Sequence, residues 1–105
     1  IDIEKRRPVI ANKTGGLSGR GIHPAAVKLV YDAHNATKLP ILAMGGIYEA
    51  KDAIEFFLAG ATAVAVGTAT FTNPNVVSEV YDGLADYCGR HGFAAVRDLT
   101  GALEV

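Results

Sequence analysis

The chain has 105 residues, half of them hydrophobic, and a formal net charge of −1 with both signs scattered. That length fits about one small domain, and the charge balance argues against a nucleic-acid or polyanion partner. No apolar run approaches the roughly 20 residues of a bilayer span, so no membrane association is expected. The single cysteine, Cys88, excludes an intrachain disulfide and a multi-cysteine metal site, and fits a reducing, cytoplasmic setting.

Taken along the chain, Ile1–Glu4 and Pro8–Ala11 read as two strands around a charged turn, a β-hairpin with Lys5-Arg6-Arg7 as its solvated tip. Asn12 to Gly21 holds four glycines in ten residues and is a loop. Pro24 suits the first turn of a helix whose inner face is Ala26, Leu29, Val30 and Ala33. Leu39–Ala43 is a continuous apolar run, the pattern of a strand buried on both faces. Ala50, Ala53, Ile54, Phe57 and Leu58 form a helical stripe that Gly60 stops, and Ala61–Val66 is a second buried strand. Asn73-Pro74 reads as a cap followed by proline at the first helical position. Val77, Val80, Leu84 and Tyr87 carry that helix to Gly89, and a short final helix spans Ala94–Leu99.

Each central strand runs into a glycine turn: Met44-Gly45-Gly46-Ile47 after the first and Val66-Gly67-Thr68 after the second. Glycine permits positive φ and close approach of the backbone to a ligand. The N–H groups of such a turn, and of the helix start beyond it, attract an anion. Strands alternating with helices imply a parallel sheet with right-handed crossovers. A doubly wound sheet alternates in the same way, but no Gly-x-Gly-x-x-Gly fingerprint is present. Paired glycine turns on consecutive strands match the phosphate site of the last two strands of a barrel. The expected fold is α/β: the C-terminal part of a (β/α)8 TIM barrel with parallel strands, preceded by a β-hairpin, with 1–105 as one segment. A full barrel takes about 250 residues. The chain opens on the strand pattern Ile1-Asp2-Ile3 with no initiator Met, so a longer parent chain is expected.

Several of these segments resemble class 1 dihydroorotate dehydrogenases. They are Ala11–Gly19 with its Gly-Gly-Leu-Ser-Gly core, Ile41–Ile47, Ala59–Ala61, Val64–Thr70, Asn73-Pro74 and Phe93–Leu103. The resemblance extends over essentially the whole chain and is closer to the NAD-linked subclass, class 1B, than to the fumarate-linked one. It implies FMN-dependent oxidation of dihydroorotate to orotate in pyrimidine (UMP) biosynthesis. It places Gly19 against the flavin, and Gly45, Gly46, Gly67 and Thr68 around the FMN phosphate. It also implies a homodimer of the full-length subunit and an electron-transfer subunit with FAD and an iron–sulfur cluster. The family's usual Pro-Ala after Gly-Leu-Ser-Gly is replaced here by Arg20-Gly21, which loosens the loop. The family's cysteine base lies in a loop with no counterpart in this sequence. No catalytic residue is therefore assigned, and Cys88, late in a helix, is read as a packing residue.

The other polar candidates are weighed individually. Ser18 bonds either the flavin or its own loop, and Arg20 is read as an exposed loop arginine rather than a phosphate ligand. His23 is expected to end the loop. His34 and His91 sit near helix C-termini, where positive charge is favoured, and neither has a partner at ligand spacing, so no metal is assigned. Asn12 and Lys13 lie near a strand end, the side on which such barrels act. Two other functions remain open at this point: a different phosphate-binding barrel enzyme, and a non-catalytic fragment that associates through its apolar faces.

Overall fold

Proline has a fixed φ suited to a helix start and no N–H to leave unpaired there. Pro24 accordingly opens α1 (His23–Ala36), after a short 3-10 helix at Arg20–Ile22. The computed structural model describes all 105 residues. Beyond α1 the order is β1 (Leu42–Met44), α2 (Ala50–Ala59), β2 (Ala63–Ala65), a 3-10 helix at Thr68–Phe71, α3 (Val76–His91) and a 3-10 helix at Val96–Leu99. β1 and β2 pair in parallel, with Leu42 opposite Ala63, Ala43 opposite Val64 and Met44 opposite Ala65. The two successive strand–helix units thus present both glycine turns at the same end of the sheet. No helix is long and apolar enough to cross a membrane.

α2 is the centre of the packing. Its stripe buries Ala53, Ile54, Phe56, Phe57 and Ala59, and it lies against both α1 and α3. Gly60, at φ 121°, stops it and donates its N–H to the carbonyls of Phe56 and Phe57. α3 answers with Val76, Val80, Leu84 and Cys88, a row four residues apart that points one way from the helix. The apolar spacing also puts Val77 and Tyr87 on that face; Tyr87 does pack against the core, and Val77 does not. Val77 is exposed, Tyr87 is only half-buried, and the helix runs on to His91 before Gly92 caps it in the left-handed region. Asn73 organises the approach rather than capping α3 itself. Its side chain accepts the N–H of Asn75 and donates to Glu79, and the helix begins two residues later than Pro74 suggests. The final helix is shorter than expected, a single 3-10 turn set by Asp98 accepting the N–H of Ala95.

Three other expectations are corrected. The N-terminal hairpin is reduced to one antiparallel bridge, Asp2 with Arg7, and Pro8–Ala11 forms no strand. Ile1, Ile3 and Val9 find no apolar surface to cover, and a two-stranded ribbon alone is marginal. Asp2 holds what remains: its carboxylate accepts the N–H groups of Lys5 and Glu4 and pairs with the Lys5 ammonium. The Lys5 contacts, backbone first, lower the Asp2 pKa from its ordinary value. The inner face of α1 is formed by His23, Val30 and, partly buried against the core, Ala26, Val27 and Tyr31, whereas Leu29 is exposed. Finally, β1 is covered on one face only. Ala43 is buried, while Leu42 and Met44 are 57 % and 58 % exposed on the other.

α3 reaches α2 closely because position 83 lacks a side chain. A Cβ on Gly83 would lie 2.2 Å from the Cβ of Ala50, whereas one on Gly89, in the same helix, meets nothing within 4 Å. The same substitution should therefore have opposite signs at the two sites. Gly89→Ala is expected to stabilise the chain by about 1 kcal/mol through helix propensity. Gly83→Ala is expected to destabilise it by about 1 kcal/mol or more as the helices are wedged apart. Urea unfolding of the two variants beside the parent decides; equal shifts of one sign would contradict this packing.

Candidate functional site

Gly45 and Gly46 have φ of 118° and 71°, values that a side chain strongly disfavours. Their missing side chains also make room. A Cβ on Gly45 would meet Ile22 Cδ1 at 2.7 Å. One on Gly46 would meet His23 Cβ at 2.6 Å and the Gly19 carbonyl at 3.1 Å. The first turn is thus glycine so that the end of the loop and the start of α1 can lie directly on it. Gly67 differs, because a Cβ there would enter open space. Its bare backbone gives clearance rather than packing.

The two turns and the loop enclose a cavity of about 370 Å³. All five residues singled out in the sequence line it: Gly19 from the loop, Gly45 and Gly46 from the first turn, Gly67 and Thr68 from the second. Ser18 lines it as well, with Leu17, Met44, Tyr48 and Val66 as apolar or aromatic walls. The donors in the turns are unclaimed. The N–H groups of Gly46, Ile47, Thr68 and Ala69 have no acceptor within the chain, and neither does the Thr68 hydroxyl. Neighbouring groups are engaged. The N–H groups of Tyr48 and Glu49 go to Asp52 Oδ2, each at 2.9 Å. The Thr70 hydroxyl and N–H go back to the Gly67 carbonyl, at 2.7 and 2.9 Å. No Asp, Glu, Lys, Arg, His or Cys lines the cavity. It offers backbone N–H donors without partners and no carboxylate to repel an anion, a composition that suits an anion. It also offers no general base.

The remaining candidates lie elsewhere. The Arg20 guanidinium stacks over the Tyr48 ring at 4.2 Å and lies 3.6 Å from Glu49, so it is partnered rather than free for a ligand. Asn12 and Lys13 are exposed and do not reach the cavity. His34 lies at the far end of α1 against Gly60 and Gly101, beside a second cavity that is remote from the glycine turns. His91 stacks on Tyr87 with ring centroids 4.2 Å apart. Cys88 is buried on α3.

His23 has a larger place in the site than its sequence position suggests. It does end the loop, but it is also buried beneath the first turn. Its Nδ1 lies 3.0 Å from the Gly45 carbonyl, its Nε2 lies 3.0 Å from Glu55, and its ring meets Phe56 edge-on at 4.8 Å. The available signal was the Asp52/Glu55 pair, three apart on one face of a helix whose other faces are apolar.

This geometry is that of a parallel α/β segment with a cavity at the carboxyl ends of its strands, and comparisons with known proteins identify the family. The sequence model of the dihydroorotate dehydrogenase family matches residues 1–87. The chain belongs to that family. It is 50 % identical over 105 residues to the catalytic subunit of dihydroorotate dehydrogenase B (NAD(+)) of Parabacteroides distasonis, covering all of this chain and 34 % of that protein. It is 51 % identical over 104 residues to the protein of the same description in Trichlorobacter lovleyi, again covering 34 % of it. Among solved structures, that of Eimeria tenella dihydroorotate dehydrogenase in complex with ferulenol superposes with a TM-score of 0.79 at 35 % identity, over 92 % of this chain and 28 % of that one. The chain spans about a third of the length of the curated relatives it matches.

Because the first turn is packed on its Cβ side, Gly46→Ala should damage the fold as well as the cradle. A loss of about 1–3 kcal/mol is expected from the clash with His23 and the positive φ. A melting curve indistinguishable from the parent's would show that the turn has slack that this structure denies it.

Proposed function

We propose that this chain is the FMN-phosphate-binding part of a dihydroorotate dehydrogenase, the C-terminal part of a TIM barrel whose parent enzyme oxidises dihydroorotate to orotate in pyrimidine biosynthesis. One observation supports this above the others: five residues chosen from the sequence meet at one cavity, where the N–H groups of two successive strand-end turns have no partner within the chain. A phosphate monoester needs several donors and no adjacent carboxylate, and the cavity fits both demands. FMN, when bound, supplies acceptance of the substrate hydride. The residues of this chain bind and orient. Gly46, Ile47, Thr68 and Ala69 donate backbone N–H groups, the Thr68 hydroxyl adds a donor, and Gly19 and Ser18 approach from the loop.

The proton acceptor for the reaction is assigned outside these 105 residues. The cavity has no base, and the only thiol, Cys88, is buried in the α3 face that packs towards α2. The relatives named above are catalytic subunits of an NAD(+) enzyme. Their description supports a separate electron-transfer subunit, for which FAD and an iron–sulfur cluster are the proposed carriers. The parent is further proposed to be a cytoplasmic homodimer.

Two measurements on the full-length enzyme test this reading. Thr68→Val keeps the volume and removes the hydroxyl, so FMN affinity should fall about tenfold while riboflavin, which lacks the phosphate, is held as before. Unchanged FMN affinity would remove Thr68 from the site. Cys88→Ala should leave orotate formation within about twofold of the parent. A loss of about 10²-fold, the size of a lost general base, would overturn its assignment as packing.

A further inference from the structure

His23 is the one buried ionisable ring beside the cradle, and the proposed flavin site leaves it unused. Its two nitrogens both face acceptors. Nδ1 is 3.0 Å from the Gly45 carbonyl oxygen, and Nε2 is 3.0 Å from Glu55 Oε2, with Asp52 Oδ1 4.0 Å away. A carbonyl has no proton to give, and an ionised carboxylate only accepts. The Nδ1 contact therefore has the ring donating its N–H to the Gly45 carbonyl. The side chain is only 9 % exposed, so water does not readily replace a missing partner. The ion-pairing groups that face the ring, Asp52 and Glu55, both come from α2. The first turn faces it with the Gly45 carbonyl and the Gly46 backbone, which carry no titratable group. Arg20, just before α1, is directed to Tyr48 and Glu49 instead.

The contact with Gly45 orients the cradle. The chain has no cis peptide, so a Gly45 carbonyl held toward His23 sends the N–H of Gly46 to the opposite side of the same peptide plane. That N–H is one of the unclaimed donors of the cavity. We propose that His23 is a positioning residue: donating from Nδ1 to the Gly45 carbonyl and held at Nε2 beside Glu55, it fixes the glycine turn with its N–H groups set for a phosphate monoester. The proposal rests on the flavin reading only for the identity of the ligand.

Two independent readouts test it. In the chain labelled with 15N-histidine, long-range 1H–15N spectra should show His23 Nδ1 carrying a proton. A ring whose Nδ1 is bare overturns the proposal. In the full-length enzyme, His23→Leu should weaken FMN binding about tenfold while riboflavin binding changes by less than about twofold, and His23→Lys, a cation with several donors, should recover most of the loss. A merely structural role would weaken both ligands alike, and that result, or full FMN affinity in a folded His23→Leu, overturns the proposal. Should His23→Leu not fold, His23→Met, with no donor for Gly45, reads the same ratio. If the parent binds neither FMN nor riboflavin, the flavin reading fails by itself, and the ring spectrum still decides the state of His23.

Discussion

The rest of the site depends on one close approach, that of the start of α1 to the Gly45–Gly46 turn. Gly46 has only its backbone between His23 and the Gly19 carbonyl, at distances a Cβ could not share. That contact sets where the glycine loop ends, and therefore where Leu17, Ser18 and Gly19 form one wall of the cavity. It also accounts for glycine at both residues of the turn, although only one peptide needs to face a ligand. Positive φ at two successive positions curls the chain away from β1 quickly enough for a helix to sit above it.

α2 connects this site to the core. Its apolar stripe holds α1, α3 and the sheet together through Phe56 and its neighbours. Its polar side is equally engaged: Asp52 takes the N–H groups of Tyr48 and Glu49, closing the segment between the turn and the helix, and Glu55 reaches His23. The Phe56 ring, next to Glu55 in sequence, touches the same imidazole. Core and cradle therefore share a helix, and displacement of α2 moves the turn with it. On the far side, Gly83 allows α3 to brace Ala50, the first residue of that helix.

Much of this is legible in the sequence, for identifiable physical reasons. The helices α2 and α3 are legible because an apolar period of 3.6 residues fits a one-sided helix and not a strand. The glycine turns are legible because a strand that ends on glycine is free to curl through positive φ. Five of the residues that line the cavity are picked out by the resemblance to a family together with turn chemistry, and the fold adds that they meet. The hairpin is not, because alternation in Ile1–Glu4 and Pro8–Ala11 records strand propensity but not whether a surface exists to cover it. Leu42 and Met44 of β1 lie on a face that nothing in these 105 residues covers, and the chain spans about a third of the length of the relatives it matches. The role of His23 is hidden because its partners come from residues 45, 52 and 55. Only the fold brings a carbonyl and two carboxylates to one ring, and no local pattern encodes that meeting.

The cradle's chemistry limits what the segment contributes to a reaction. In the proposed site, backbone N–H donors in a cavity without charged side chains would hold the anion through fixed dipoles, so retention would depend on the orientation of a few peptides rather than on mobile ion pairs. A phosphate remote from the reacting atoms is bound equally well before and during the chemical step, and uniform binding of that kind supplies affinity but no acceleration of its own. What it supplies is placement. A ring system anchored at its phosphate by two strand ends keeps one position relative to the sheet, and any base and substrate pocket must be built to that position. The energetic role of Gly45, Gly46, Gly67 and Thr68 in the proposed site is thus to fix a frame of reference. A positioning residue such as His23, which touches no ligand, matters there because errors in the frame are carried to the reacting atoms.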